Sequence, residues 1–178
     1  MEKSLRALEL ARHAGNTRLE LAARYRAAWA LLTLGDAKSA VEQSTPVLEI
    51  ADELRDRYWM VNALWLNELL ARLSGQWQSA AEFSERGLAI WPMDPRLLGS
   101  RILLEFETRN IEEGQELVER LIQPMDQTSP GSSLEYVNVA SIVPLVSRIA
   151  GDNGQLDLAA KAGQAVVASE DATESNTV

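Results

Sequence analysis

The sequence predicts an all-α protein, an α-solenoid of about nine helices arranged in antiparallel pairs. Alanine and leucine supply most of the apolar residues, and β-branched residues form no alternating runs of the kind that strands need. Helical periods alternate with short glycine, proline and asparagine breakers along the whole chain. Small and apolar residues also recur at fixed distances from these breakers, which indicates repeated helix pairs.

The breakers place residues 1–169 in one helical repeat domain. A lone helix over 3–14 precedes four helix pairs, which we expect at about 17–54, 57–91, 95–123 and 132–169. The polar residues 170–178 have no apolar periodicity, so we expect them to form a disordered tail.

Capping residues and prolines support these boundaries. The motif Thr17-x-x-Glu20 is typical of a capping box, and Asp94 followed by Pro95 is typical of a helix start. Pro46 lies inside a predicted helix. Because proline removes a backbone hydrogen bond and clashes with the preceding turn, we expect a kink or an early end there.

Four units repeat at spacings of 40, 34 and 45 residues, starting at Gly35, Gly75, Arg109 and Gly154. Each has a small residue five positions after its start, namely Ala40, Ala80, Gly114 and Ala159. A glycine suits the positive φ of a helix end, and a small residue lets the second helix cross closely against the first. These offsets therefore predict helix pairs with close crossings.

The best unit covers residues 75–92, GQWQSAAEFSERGLAIWP, and resembles the second half of a tetratricopeptide repeat. Trp77 and Trp91 flank its helix and are interpreted as structural. The other units keep spacing and small or apolar character, and Glu68 stands where this family's first helix normally carries a small residue. The resemblance implies a right-handed superhelix whose first helices line a concave binding face.

The spread of repeat lengths also resembles repeat regions of large bacterial signalling proteins. In those proteins an ATPase module is joined to the repeats and then to a LuxR-type helix-turn-helix or cyclase domain, which implies signalling or transcription regulation. The first helix lacks a partner and the last lacks a polar capping helix. We therefore expect the repeat segment of a larger protein, able to self-associate through its open ends.

The concave face implied by this register is the candidate partner-binding site. Its residues are Tyr25, Arg26, Trp29, Asn62, Trp65, Leu69, Arg96, Ser100, Leu103 and Arg148. Trp, Tyr and Arg dominate binding hot spots, so the face would suit a peptide, an acidic segment or a flat ligand. The alternative is that these side chains pack neighbouring pairs together. Trp59 and Trp65 lie six apart, so one of them is expected in the core.

No catalytic, metal-binding or cofactor-binding pattern is present in the sequence. His13 is the only histidine, without a cysteine or second histidine at metal-ligand spacing and without a nucleophile to activate. Acidic groups such as Glu112 and Glu113 are typical of solvated helix faces, and residues 151–154 lack the Lys and Ser/Thr of a phosphate-binding loop. We expect a non-enzymatic protein.

Net charge, cysteine content and apolar runs bear on the kinds of partner and the cellular location to expect. A formal charge of −9 without a Lys/Arg run disfavours direct nucleic-acid binding. The absence of cysteine fits a reducing compartment, so a cytoplasmic location is expected, and no run of eighteen apolar residues predicts a membrane span. We therefore predict a protein-protein interaction scaffold that binds a protein or peptide. The alternative is a small-molecule sensor segment with its ligand in the concave groove.

Overall fold

The computed structural model describes residues 2–131, 133–151 and 154–175, and all regular elements among them are helical. The α-helices are α1 (Glu2–His13), α2 (Thr17–Thr33), α3 (Ala37–Glu53), α4 (Arg57–Leu73), α5 (Trp77–Ile90), α6 (Pro95–Glu107), α7 (Ile111–Ile122), α8 (Leu134–Ala150) and α9 (Leu156–Ser175). A short 3₁₀ helix, Gln123–Gln127, follows α7. The predicted all-α class is confirmed.

The chain divides into two compact units, Met1–Pro92 and Met93–Val178, where the sequence predicts one domain over 1–169. In the first unit, α1 packs against α2, α2 against α3, α3 against α4, and α4 against α5. In the second unit, α6 packs against α7 and α8, and α8 packs against α9. All four predicted helix pairs are therefore present, two in each unit.

Five three-residue linkers in the described chain share one backbone geometry. Each contains a residue with positive φ, and these are Gly15, Gly35, Arg55, Gly75 and Arg109. At Gly35 the N–H bonds to the carbonyl of Leu32, and the next N–H bonds to that of Leu31, both at 3.0 Å. The same pair of bonds recurs in the other four linkers, and it defines the Schellman helix end.

The first four of these positive-φ residues follow one another every 20 residues, half of the 40-residue spacing read from the sequence. The first unit therefore repeats helix by helix as well as pair by pair. The sequence predicts the helix end at Leu54 but not the 20-residue period, because an arginine rarely adopts the positive φ of 50° that Arg55 has here.

The residue after the positive-φ position is the N-cap of the next helix. For α2, α3 and α4 a side-chain oxygen there accepts a backbone N–H from three residues on, and the capping residues are Asn16, Asp36 and Asp56. The predicted capping box at Thr17 is therefore wrong, since Thr17 is already helical and Asn16 caps α2. Glu20 instead accepts bonds from two arginines of α1 and α2. At α6 the predicted start is confirmed. Asp94 accepts hydrogen bonds from two backbone N–H groups of the first turn, and Pro95 is the first residue of the helix.

The small residues of the repeat are buried at helix crossings, as predicted, and they are Ala40, Ala80, Gly114 and Ala159. At Gly114 a Cβ would come within 2.5 Å of the Phe106 ring. Gly99 of α6 behaves similarly, because a Cβ there would run into the Ile142 side chain of α8. The sequence repeat did not reveal this second close approach.

The structure also decides where two of the predicted helices end. Helix α3 continues through Pro46 to Glu53, so the proline does not end it early. Helix α9 continues to Ser175, past the predicted end near Ser169, so residues 170–175 are helical and not a disordered tail. Residues 176–178 of the predicted tail lie outside the described part of the chain.

Candidate protein-binding surface

Within the described part of the first unit, six aromatic side chains form a connected row, which we call the aromatic row. In order of contact it contains Trp65, Trp29, Tyr25, Trp59, Tyr58 and Trp91. Successive ring centroids are 5.1, 6.3, 5.5, 5.5 and 6.3 Å apart. Four of the contacts are edge-to-face and one is tilted, as the quadrupoles of aromatic rings favour.

Helices α2 and α4 supply five of the six rings. Tyr25 and Trp29 lie one turn apart on α2, so their side chains project from the same face. From α4, Trp59 contacts Tyr25 and Trp65 contacts Trp29. Trp59 also packs against a buried apolar cluster, but Trp59 and Trp65 are both only partly buried, so neither lies in the core as expected for one of them.

The inner side of the row covers two apolar clusters of the first unit. One cluster, beneath Tyr25 and Trp29, consists of Ala28, Leu31, Ala40, Leu66 and Leu70. The other, beneath Tyr25 and Trp59, consists of Leu21, Val47, Ala51 and Ala63. The rings are only partly buried, and Tyr58 is 55% exposed. The row therefore fills the seam between α2 and α4 and leaves aromatic edges open to solvent.

Polar contacts fix the Tyr58 end of the row. Arg18 Nη1 lies 3.0 Å from Asp56 Oδ2, which links the start of α2 to the cap of α4. Arg57 Nη2 donates to the carbonyl of Ile90 at 2.9 Å, which holds the end of α5 against the start of α4. Since Tyr58 and Trp91 are the residues next in sequence, this bond keeps their rings together.

Buried polar groups fasten α2 to its neighbours. Arg24 donates to Glu20 Oε1 at 2.9 Å and to Gln43 Oε1 of α3 at 3.2 Å. Arg12 of α1 donates to the same Glu20 oxygen at 3.0 Å. Burial raises the pKa of Glu20, but the hydrogen bonds and positive charges of Arg12 and Arg24 lower it more, so the net pKa lies below its ordinary value.

Helix α4 carries buried polar side chains behind the aromatic row. Asn67 and Ser44 of α3 meet at 3.1 Å. Glu68 is fully buried, and its Oε1 lies 3.7 Å from Nε of Arg72 one turn further on. This ion pair lies within α4, whereas the bond between Ser44 and Asn67 joins α4 to α3.

The structure brings together three of the predicted groove residues of the first unit, namely Tyr25, Trp29 and Trp65. Arg26 is exposed beside them in sequence, and Leu69 is partly buried. Asn62 is buried, and its amide donates to the Tyr58 carbonyl at 2.7 Å, so it supports the backbone of α4.

Sequence reasoning missed three members of the row, which are Tyr58, Trp59 and Trp91. Tyr58 and Trp59 are visible in the sequence as two adjacent aromatic residues at the start of the predicted fourth helix. Trp91 was interpreted as structural, and only the bond from Arg57 to Ile90 shows why its ring joins this surface.

The predicted groove residues of the second unit do not form such a row. Arg96 is bonded to Asp94 at 2.7 Å, and Ser100 is buried. Leu103 and Arg148 do lie together, since they line one shallow hollow of this unit with Glu107, Leu145 and Ile149.

The two units also differ in charge. Residues 1–92 contain 11 Lys and Arg against 12 Asp and Glu, and residues 93–178 contain 6 against 14, which gives net charges of −1 and −8. The aromatic row therefore lies in a nearly neutral unit that does not repel an acidic partner.

No protein-family model, curated protein or solved structure matches the chain. None of the helices in the described residues is long and apolar enough to cross a membrane. Across the same residues, no three His, Asp or Glu side chains are grouped so that they could hold a metal ion. The aromatic row is thus the feature of the first unit that distinguishes it chemically from an ordinary helical surface.

Proposed function

We propose that this chain is a non-enzymatic protein-protein interaction scaffold, a tetratricopeptide-like repeat segment of a larger signalling or transcription-regulatory protein in the cytoplasm. The observation that carries the proposal is the aromatic row, whose half-open rings span α2, α4 and the end of α5. Tyrosine and tryptophan offer a large contact area at low conformational cost, which is why they dominate binding hot spots.

The partner that suits this surface is a peptide or helix with apolar side chains and some acidic ones. Apolar side chains would lie against the ring edges, beginning at the exposed Tyr58. Arg26 is exposed and follows Tyr25 in α2, and its guanidinium would pair with a carboxylate of the partner. The near-neutral charge of this unit would allow an acidic segment to approach, whereas the second unit would repel it.

The experiment is a peptide-display selection on the full chain, followed by binding measurements on variants. Tyr58→Ala and Arg26→Ala should weaken the selected peptides by about tenfold or more, as loss of a hot-spot contact does. Trp77→Ala is the matched control, because Trp77 is 44% exposed in the same unit and stands outside the aromatic row. Circular dichroism would verify that each variant is folded.

Peptides that bind Tyr58→Ala and Arg26→Ala as well as the unchanged chain would contradict the assignment to the aromatic row. The same conclusion would follow if Trp77→Ala caused the larger loss. The small-molecule alternative is better supported at a cavity of the second unit than at this row.

A further inference from the structure

The second unit contains a cavity of about 250 Å³ between α6, α7 and α8. Its apolar lining consists of Phe106, Val118, Val143, Val146 and Ala150. Its polar lining consists of Gln115, Glu119, Ser147 and Gln155. Most small-molecule sites have this composition, with an apolar wall and a few polar groups that orient the ligand.

Ser147 contributes a hydroxyl group to the lining. The residue as a whole is 6% exposed, and it lies on the α8 side of the cavity. Most ligand sites use a few such polar groups to orient the bound molecule. The hydroxyl of Ser147 is therefore placed to bond with a molecule inside the cavity.

Glu119 gives the cavity its charge. It is an exposed residue of α7 and the only charged residue among the described lining residues. The unit around it carries a net charge of −8, which attracts cations and repels anions. A positively charged ligand group would complement this carboxylate.

The apolar wall is held in place by a close contact. Phe106 is buried and its ring lies against Gly114 of α7, where a Cβ would come within 2.5 Å of the ring. The glycine therefore lets the ring approach α7 at the edge of the cavity. A flat or flexible apolar body could pack on this ring and the neighbouring valines.

We propose that the cavity binds a small organic cation with an apolar body, such as an arylalkylamine. Its ammonium group pairs with Glu119, the hydroxyl of Ser147 supplies a hydrogen bond, and the apolar body packs on Phe106 and the valines. The volume of about 250 Å³ restricts the ligand to molecules smaller than most drug-like compounds. This site goes beyond the proposed protein-binding function and does not depend on the aromatic row.

The test is isothermal titration calorimetry of the full chain at pH 7 with three probes of similar size: 2-phenylethylamine, 2-phenylethanol and 3-phenylpropionate. We expect saturable binding of one amine per chain. The neutral alcohol should bind about tenfold more weakly, because it lacks the charge-assisted bond, and the acid should bind more weakly still.

Variants locate the site. Glu119→Gln should weaken the amine by about tenfold and leave the alcohol unchanged, since only the charged contact is lost. Glu116→Gln is the matched control, an exposed residue of the same helix that does not line the cavity. Gln115→Trp should block both the amine and the alcohol, because Gln115 is an exposed lining residue and the larger side chain would fill the cavity.

Three results would overturn the proposal. The first is the absence of saturable amine binding to the unchanged chain. The second is equal affinity for the amine and the alcohol, which would leave Glu119 without a role. The third is an equal effect of Glu119→Gln and Glu116→Gln, which would place the amine elsewhere on the acidic surface. None of these results bears on the aromatic row, so the two proposals fail separately.

Discussion

The two units are built from the same kind of helix pair but differ in what fills the space between neighbouring pairs. Between α2 and α4 the first unit places the aromatic row. Between α6 and α8 the second unit places Gly99, which lets the Ile142 side chain approach the backbone of α6. Large rings therefore fill the first seam. In the second seam, an isoleucine side chain fills the space that a glycine leaves.

This difference in packing coincides with a difference in surface chemistry. The first unit holds all five tryptophans and has a net charge of −1, whereas the second has only Phe106 and Tyr136 as aromatic residues and a net charge of −8. One helix-pair plan thus supports an aromatic surface suited to a protein segment and an acidic cavity suited to a small cation. The side chains at the seams and the contacts between the helices both differ between the two units.

The largest effect is expected from removing a ring of the first seam. Trp59 contacts Tyr25, Tyr58 and a buried cluster, so Trp59→Ala should lower the free energy of unfolding by about 3 kcal/mol. Trp77→Ala, which removes an exposed indole outside the row, should cost less than about 1 kcal/mol. Urea unfolding followed by circular dichroism measures both. Equal losses would mean that the row does not hold the first seam.

Two helical glycines of the second unit should respond in opposite ways to substitution by alanine. Gly99→Ala should destabilise the chain by about 1 to 3 kcal/mol, because the added methyl group meets Ile142 and Asn138. Gly163→Ala on α9 should stabilise it by about 0.5 to 1 kcal/mol, since its nearest neighbour is Ala140 at 3.9 Å and alanine favours helix. Thermal melts of the pair give the comparison. Stabilisation by both substitutions would refute the close approach of α6 and α8.

The shared linker geometry predicts a stabilising substitution in the first unit. Arg55 has a φ of 50°, which glycine adopts without strain, so Arg55→Gly should stabilise the chain by about 1 kcal/mol. Gly35→Ala, at the equivalent position one helix earlier, should destabilise it by about 1 kcal/mol. Chemical denaturation of both variants tests the equivalence. The two linkers would not be equivalent if Arg55→Gly lowered the stability of the chain, as a glycine substitution at an ordinary surface position does.

The smallest effect concerns pH and Glu20. Its folded pKa lies below the unfolded value of 4.5, so the carboxylate stabilises the fold fully above pH 4.5, and this contribution is lost as the pH falls through the folded pKa. Glu20→Gln should therefore be less stable than the unchanged chain at pH 7, and the gap should narrow towards pH 3. Glu42→Gln, at an exposed position of α3, is the control. A gap that is constant between pH 7 and pH 3 would disprove the contribution of Glu20.

Local sequence signals were sufficient for most of the fold. Glycine-based helix ends and the small residues at Ala40 and Ala80 predicted the helix pairs, because each depends on only a few neighbouring residues. The helix end near Leu54 was predicted as well, but the positive φ of Arg55 was not, because glycine is the residue that normally marks such a position. The sequence also predicted Thr17 as the N-cap of α2, whereas the structure has the cap one residue earlier, at Asn16.

The candidate sites were predicted only in part, because they depend on contacts distant in sequence. Tyr25 and Trp29 share a helical face and could be paired from spacing alone. Their contacts with Trp59 and Trp65 required the packing of α2 against α4. The cavity around Ser147 is lined by residues of three helices, and no local sequence pattern marks such a cavity.

The most direct test of the aromatic row uses the tryptophan indole N–H signals in a ¹⁵N-labelled chain. All five tryptophans lie in the first unit, and four of them, Trp29, Trp59, Trp65 and Trp91, belong to the row. On titration with a selected peptide, these four signals should shift and the Trp77 signal should stay in place. A peptide that binds but shifts only the Trp77 signal, or none of the five, would contradict the proposed role of the row.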